Sequence, residues 1–134
     1  MTDTYKIAIV GGTGDLGSGL AKRWARAGHE IVIGSRDAGR AGDTAARFNE
    51  EAETSSISGL ENSDAAAAGE IVVLTVPYEN HAPTLEAIKD KVQGKIVVDV
   101  TVPLMPPKVR TVQLPEGGSC AKAAQALLGS EDRV

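Results

Sequence analysis

Apolar positions along this chain follow two rhythms. Short continuous runs rich in β-branched residues alternate with longer stretches where apolar side chains recur every three or four positions. Ile7 to Val10 is the first run, and such a run fits a strand buried on both faces of a parallel sheet. Leu16, Leu20, Trp24 and Ala27 then recur as one face of a helix, with Gly28 at the place of a C-terminal cap. Ile31-Val32-Ile33 forms a second strand and runs into Gly34-Ser35-Arg36. Ala41, Ala45 and Phe48 line a second helix, a weak third strand is expected near Ser55 to Ser58, and Asn62 to Ala68 reads as a short helix with an Asn or Ser cap. Ile71 to Val76 is a strand ended by Pro77, since proline cannot donate to a central ladder. Leu85, Ile88 and Val92 mark a further helix stopped by Gly94, and Ile96 to Val100 makes a fifth strand. Pro103, Pro106 and Pro107 interrupt regular structure before a last helix over Ser119 to Leu128. Strands alternating with helices predict an α/β fold, a doubly wound parallel sheet covered on both sides, formed by residues 1–134 as one domain.

Between the first strand and the first helix lies Gly12-Thr13-Gly14-Asp15-Leu16-Gly17, a G-x-G-x-x-G turn. In a Rossmann NAD(P)-binding domain the first glycine permits the tight turn. The second lets backbone approach a pyrophosphate, and the third lets the helix pack closely on the strand. The helix N-terminus adds free N–H donors and a partial positive charge. The hexapeptide alone is a weak signal, and a ligand-free glycine turn is the competing reading; its strand-turn-helix setting favours dinucleotide binding. The end of the second strand selects the cofactor, an acidic residue there suiting NAD and arginine suiting NADP. Ser35, Arg36 and Arg40 offer a hydroxyl and two guanidinium forks to a 2′-phosphate, with Asp37 the one discordant charge, so NADP is expected over NAD. The same glycines also fit the phase used by short-chain dehydrogenases, read as Gly11, Gly14 and Gly17. That chemistry needs a tyrosine with lysine four positions later; Tyr5 and Tyr78 are followed there by Ile9 and Ala82.

Composition changes this picture little. The 134 residues are 42% apolar and 24% charged, near the globular average, and the net charge of −4 gives no general support to a nucleic-acid or anionic-membrane partner. No apolar run approaches the roughly 20 residues of a membrane span, and the first residues lack a signal-peptide layout. The single cysteine, Cys120, has no partner for an internal disulfide, and no metal-type Cys/His spacing occurs. A reduced, cytoplasmic protein is the expectation.

The stretches IAIVGGTGDLGSGLAKRWARAGHEIVIGSRDAGRA, IVVLTVPYENH and KIVVDVTVPL together resemble the NADPH-dependent reductases of coenzyme F420, a 5-deazaflavin. The likeness covers essentially the whole chain but only the N-terminal, NADP-binding part of that family. It implies reversible hydride transfer between NADP and coenzyme F420 as co-substrate. It assigns Thr13, Gly14, Asp15 and Leu16, beside the turn glycine Gly12 read from the motif, to the pyrophosphate turn and Ser35, Arg36 and Arg40 to the 2′-phosphate. Val76, Pro77, Tyr78 and Val102 would flank the nicotinamide. Tyr78 reads equally as a ring platform or as a packing aromatic, His81 as a surface histidine at a helix start, and Trp24 and Cys120 as packing. The cofactors carry the chemistry, so no catalytic side chain is required. Family members continue into a further strand and a C-terminal helical part that completes the deazaflavin pocket and a dimer. NADP binding is therefore expected ahead of turnover, with an open sheet edge that invites self-association. Two other readings stay open: a non-catalytic NADP(H) sensor or regulatory module, and an imine or ketone reductase.

Overall fold

A computed structural model of the chain describes residues 4–101, 118–129 and 133–134. The elements run β1 (Lys6–Val10), α1 (Asp15–Arg26), β2 (Glu30–Ser35), α2 (Ala38–Ala52), β3 (Ile57–Glu61), α3 (Asn62–Ala68), β4 (Ile71–Leu74), α4 (His81–Ile88), β5 (Ile96–Asp99) and α5 (Cys120–Leu128). All strand pairs are parallel and the order is β3-β2-β1-β4-β5. The doubly wound α/β fold of the Rossmann type is present. Chain order reverses across β1, with β2 on one side and β4 on the other. Open sheets of this kind leave a crevice there, beyond the carboxyl ends of the strands.

Alternation along each strand splits the core in two. Ala8, Val10, Val32, Val72 and Leu74 face α3, α4 and α5, packing on Ala65, Leu85, Ile88 and Leu128. Ile7, Ile9, Ile31, Ile33 and Val73 face α1 and α2, packing on Ala21, Ala25, Ala45 and Phe48. Burying a Leu, Ile or Phe stabilises by roughly 1.5–3 kcal/mol, so the β-branched strand runs specify the sheet through both faces at once.

Several boundaries differ from the periodicity reading, each for a local reason. The third strand lies at Ile57–Glu61 rather than near Ser55 to Ser58. Asn49 holds its entry, accepting from the Ile57 N–H and donating to the Ile57 carbonyl. β4 stops at Leu74: the Thr75 N–H makes the last ladder bond to the Val10 carbonyl, which the Thr75 hydroxyl also engages, and past Val10 the Gly11 and Gly12 N–H groups both go to the Gly34 carbonyl instead. The cap of α3 is neither Asn nor Ser: the Glu61 carboxylate accepts from the Ser63 N–H at 3.0 Å. The stripe expected on α1 is also rotated. Gly17, Ala21 and Ala25 are the buried positions, Leu20 and Trp24 pack at their margin, and Leu16 is 53% exposed. A Cβ on Gly17 would lie 2.6 Å from the Gly12 Cα, so only small residues let α1 come this near the turn.

The β5 edge is engaged at one place. The Val97 N–H donates to the Arg133 carbonyl at 2.8 Å, forming a parallel bridge between Ile96 and Arg133. Ile96, Val98 and Val134 remain exposed beside it. No helix among the described residues is long and apolar enough to cross a membrane.

Candidate functional site

A cleft of about 800 Å³ opens at the carboxyl ends of β1, β2 and β4. Its floor is the turn after β1. Gly11 takes φ of +75°, and a Cβ there would meet Val76 Cγ1 at 2.6 Å, so the left-handed turn and the close passage of the β4 loop both require glycine. The tight-turn role expected of Gly12 therefore belongs to Gly11. Gly12 is packed instead, since its Cβ would lie 2.8 Å from the Ile9 carbonyl oxygen. Both N–H groups donate to the Gly34 carbonyl at 3.1 Å, and Gly11 also donates to Asn62 Oδ1 at 3.2 Å. Gly14, the residue before α1, is extended; a Cβ there would meet nothing within 4 Å, and no side chain caps the helix. The helix entrance thus presents open backbone to the cleft.

At the other wall, β2 ends in Ser35, buried, with Arg36 and Arg40 exposed beyond it. Neither guanidinium forms an ion pair among the described residues. Asp37, the discordant acid of the sequence, is committed to capping α2: its Oδ1 accepts from the Arg40 N–H at 3.2 Å, and its own N–H donates to Ser35 Oγ at 3.3 Å. Two free cations and a hydroxyl at a strand end suit a phosphate dianion. Glu61 also lines the cleft, but its carboxylate is occupied at the start of α3.

The cleft continues past Thr75, Val76 and Pro77 into a smaller hollow of about 240 Å³, walled by Leu16, Tyr78, Val100 and Thr101. The structure thus brings together Thr13, Gly14, Ser35, Arg36 and Arg40 in the main cleft and Leu16 and Tyr78 in the hollow, with Val76 and Pro77 shared between them. Gly12 lies buried beneath the turn and Asp15 is exposed on the first turn of α1; Val102 lies outside the described residues.

His81 departs from its expected place. It is 4% exposed rather than on the surface, and its Nε2 lies 2.6 Å from Asp99 Oδ2, a carboxylate whose side chain is fully buried. Asp99 Oδ1 accepts from the Thr101 N–H at 3.0 Å, while the Tyr78 ring stacks on His81 with centroids 6.4 Å apart. Cys120, at the start of α5, is buried, and burial together with the nearby Asp99 carboxylate pushes its thiol above the ordinary range. Among the described residues, Thr101 Oγ1 is the one buried side-chain polar atom without a hydrogen-bond partner. No cluster of His, Cys, Asp and Glu among them could hold a metal. Sequence reasoning missed Asn62, Asp99 and the α4 residues Pro83, Thr84 and Ala87 of the main cleft. The asparagine after a strand was legible only as a helix cap, and the aspartate only as the end of a strand.

Comparison with known proteins agrees with this architecture. Residues 6–103 match the family model described as NADP oxidoreductase, coenzyme F420-dependent. The chain is 44% identical over 135 aligned positions to an F420-dependent NADP reductase of Methanothermobacter thermautotrophicus, covering 96% of this chain and 58% of that protein. To the enzyme of the same description from Methanothermobacter marburgensis it is 42% identical, covering 96% of this chain and 60% of the relative. Among solved structures, a protein from an Arthrobacter species, provisionally assigned as an F420-dependent NADP reductase, superposes with a TM-score of 0.73 at 30% identity. That match covers 92% of this chain and 58% of the other. The chain therefore spans well under two thirds of the length of these relatives. With a family match over most of its length, the chain belongs to the coenzyme F420-dependent NADP oxidoreductases.

Proposed function

We propose that the chain binds NADP(H) along the cleft and supplies the NADP-binding part of a hydride exchange with the deazaflavin coenzyme F420. One observation carries this reading: the open helix entrance at Gly14 faces the same cleft as the guanidinium groups of Arg36 and Arg40, neither of which forms an ion pair among the described residues. Gly12, Thr13, Gly14, Asp15 and Leu16 form the turn that receives the pyrophosphate, whose charge is favoured by the free N–H groups of α1. Ser35, Arg36 and Arg40 take the 2′-phosphate. The nicotinamide lies toward the hollow between Leu16 and Tyr78, flanked by Val76, Pro77 and Val102. A nicotinamide held there by Leu16, Val76, Pro77 and Tyr78 would supply the hydride chemistry toward a deazaflavin co-substrate. The protein's part is to orient the ring, exclude water and leave one ring face accessible. Self-association, a dimer in this reading, uses the β5 side of the sheet, where Ile96, Val98 and Val134 are exposed.

The test is calorimetric titration with NADP and NAD, on the wild type and on Arg36→Ala. Losing one charge-assisted phosphate contact weakens NADP by about 1.5–3 kcal/mol and leaves NAD unchanged. Equal weakening of both nucleotides, or no binding by the wild type, refutes the assignment. Mixing the chain with NADPH and oxidised deazaflavin then reads the second half: the deazaflavin absorbance falls in step with NADPH consumption, or this chain binds the nucleotide without turnover. Sedimentation equilibrium checks the dimer, which Val98→Lys should dissociate.

A further inference from the structure

Resting on that cofactor reading, we propose that His81 and Asp99 are a positioning pair that sets the ring end of the cleft. The two walls of the small hollow come from different crossovers: Pro77 and Tyr78 follow β4, while Val100 and Thr101 follow β5. Beyond the last ladder bond, from the Val100 N–H to the Leu74 carbonyl, a short, buried side-chain hydrogen bond ties them, between His81 at the start of α4 and Asp99 at the end of β5. Each partner also holds its own wall. The second oxygen of Asp99 fixes the Thr101 backbone, and the His81 ring backs the ring of Tyr78.

A buried, hydrogen-bonded ionisable pair is weak evidence for stability, because apolar residues of similar volume often serve as well or better. Its position here supplies the other reason to keep it. A hydrogen bond has a defined length and direction, whereas apolar packing between two loops lets them slide. The Tyr78 wall and the Thr101 wall are thereby held at a set separation, which is what a stacked planar ring needs. The pair stands behind the hollow rather than lining it, so it acts through Tyr78 and Thr101.

Two variants separate this role from general stability. Asp99→Asn keeps the tie in neutral form, its amide donating to His81 Nε2 and its carbonyl accepting from the Thr101 N–H. The double variant His81→Phe with Asp99→Asn keeps the volume and the ring against Tyr78 but cuts the tie. Three ligand readouts are compared: NADPH affinity, affinity for adenosine 2′,5′-bisphosphate, which lacks the nicotinamide, and the emission of bound NADPH. The expected result is that Asp99→Asn stays within about twofold of wild type for both ligands. The double variant then loses about tenfold in NADPH affinity and the emission change of the bound ring, while holding the bisphosphate as before. Parallel loss of both ligands, unchanged NADPH binding in the double variant, or equal loss in Asp99→Asn overturns the inference. If the double variant does not fold, Asp99→Ala, which also cuts the tie, is scored by the same criteria. A wild type that binds neither ligand instead sinks the cofactor reading, and this inference with it. Wild-type binding with the wrong variant pattern sinks this inference alone.

Discussion

Gly14→Ala asks whether a ligand or the fold demands glycine in the turn. Gly14 sits at φ −81° and ψ 177°, extended backbone open to any residue, and the added methyl meets no protein atom within 4 Å. Two small terms then oppose each other. Alanine is a poorer N-cap than glycine by about 0.5–1 kcal/mol, but it removes about 0.4–1 kcal/mol of unfolded-state entropy. Stability should change by less than about 0.5 kcal/mol, a melting shift of roughly 2 °C for a chain of this size. Under the proposed NADP reading affinity should change far more, because the methyl would stand in the cleft at the helix entrance assigned to the pyrophosphate. A loss on the order of tenfold or more, about 1.4 kcal/mol, is expected. Gly17→Ala is the control. Its methyl would lie 2.6 Å from the Gly12 Cα and 2.9 Å from the Gly12 oxygen, with backbone on the receiving side. Carbon atoms prefer about 3.5–4.0 Å, so the turn or the helix must shift by roughly 1 Å. Overpacking of about 1–3 kcal/mol outweighs the helix-propensity gain of about 1 kcal/mol, and Gly17→Ala should lose both stability and binding. The assay pairs thermal melting with NADP titration. A Gly14→Ala protein that binds as tightly as wild type, or that melts as early as Gly17→Ala, would refute the reasoning.

Three further outcomes are expected. Asn62→Ala removes the acceptor for the Gly11 N–H but leaves the Gly34 carbonyl in place, so denaturant unfolding should show a loss of about 1 kcal/mol. Phe48→Ala, emptying the centre of the α2 side of the core, should cost about 3–5 kcal/mol by the same measurement. Cys120 carries a raised thiol pKa through burial and the Asp99 carboxylate, so its folded value exceeds its unfolded one. The associated stability is fully present below the unfolded thiol pKa and is lost as pH rises through the folded one. Cys120→Ser should flatten that alkaline decline, and native Cys120 should react with a disulfide reagent far more slowly than the urea-unfolded chain.

Much of the molecule was legible without coordinates because it depends on neighbours in the chain. The β-branched runs, the helical spacings and the punctuating glycines specify order and type of elements, and these alone imply a parallel, doubly wound sheet. The turn from Gly11 to Gly17 and the Ser35–Arg36–Arg40 group were legible for the same reason, since each is one continuous segment. What tertiary structure decided is everything that depends on which strands are adjacent and how closely layers approach. Periodicity put Leu16 and Ala27 inward, yet the nearness of α1 to Gly12 made Gly17, Ala21 and Ala25 the inward face and left Leu16 at the hollow. Asn62 meets Gly11 across 51 positions because the start of α3 crosses the ends of β1 and β2. His81 and Asp99, 18 positions apart, meet because β4 and β5 are parallel neighbours whose ends share one edge. Side-chain period encodes which way a residue faces along its own element; it carries no information about which other element's end will stand opposite. Polar residues buried at such junctions therefore read as surface until the sheet is assembled.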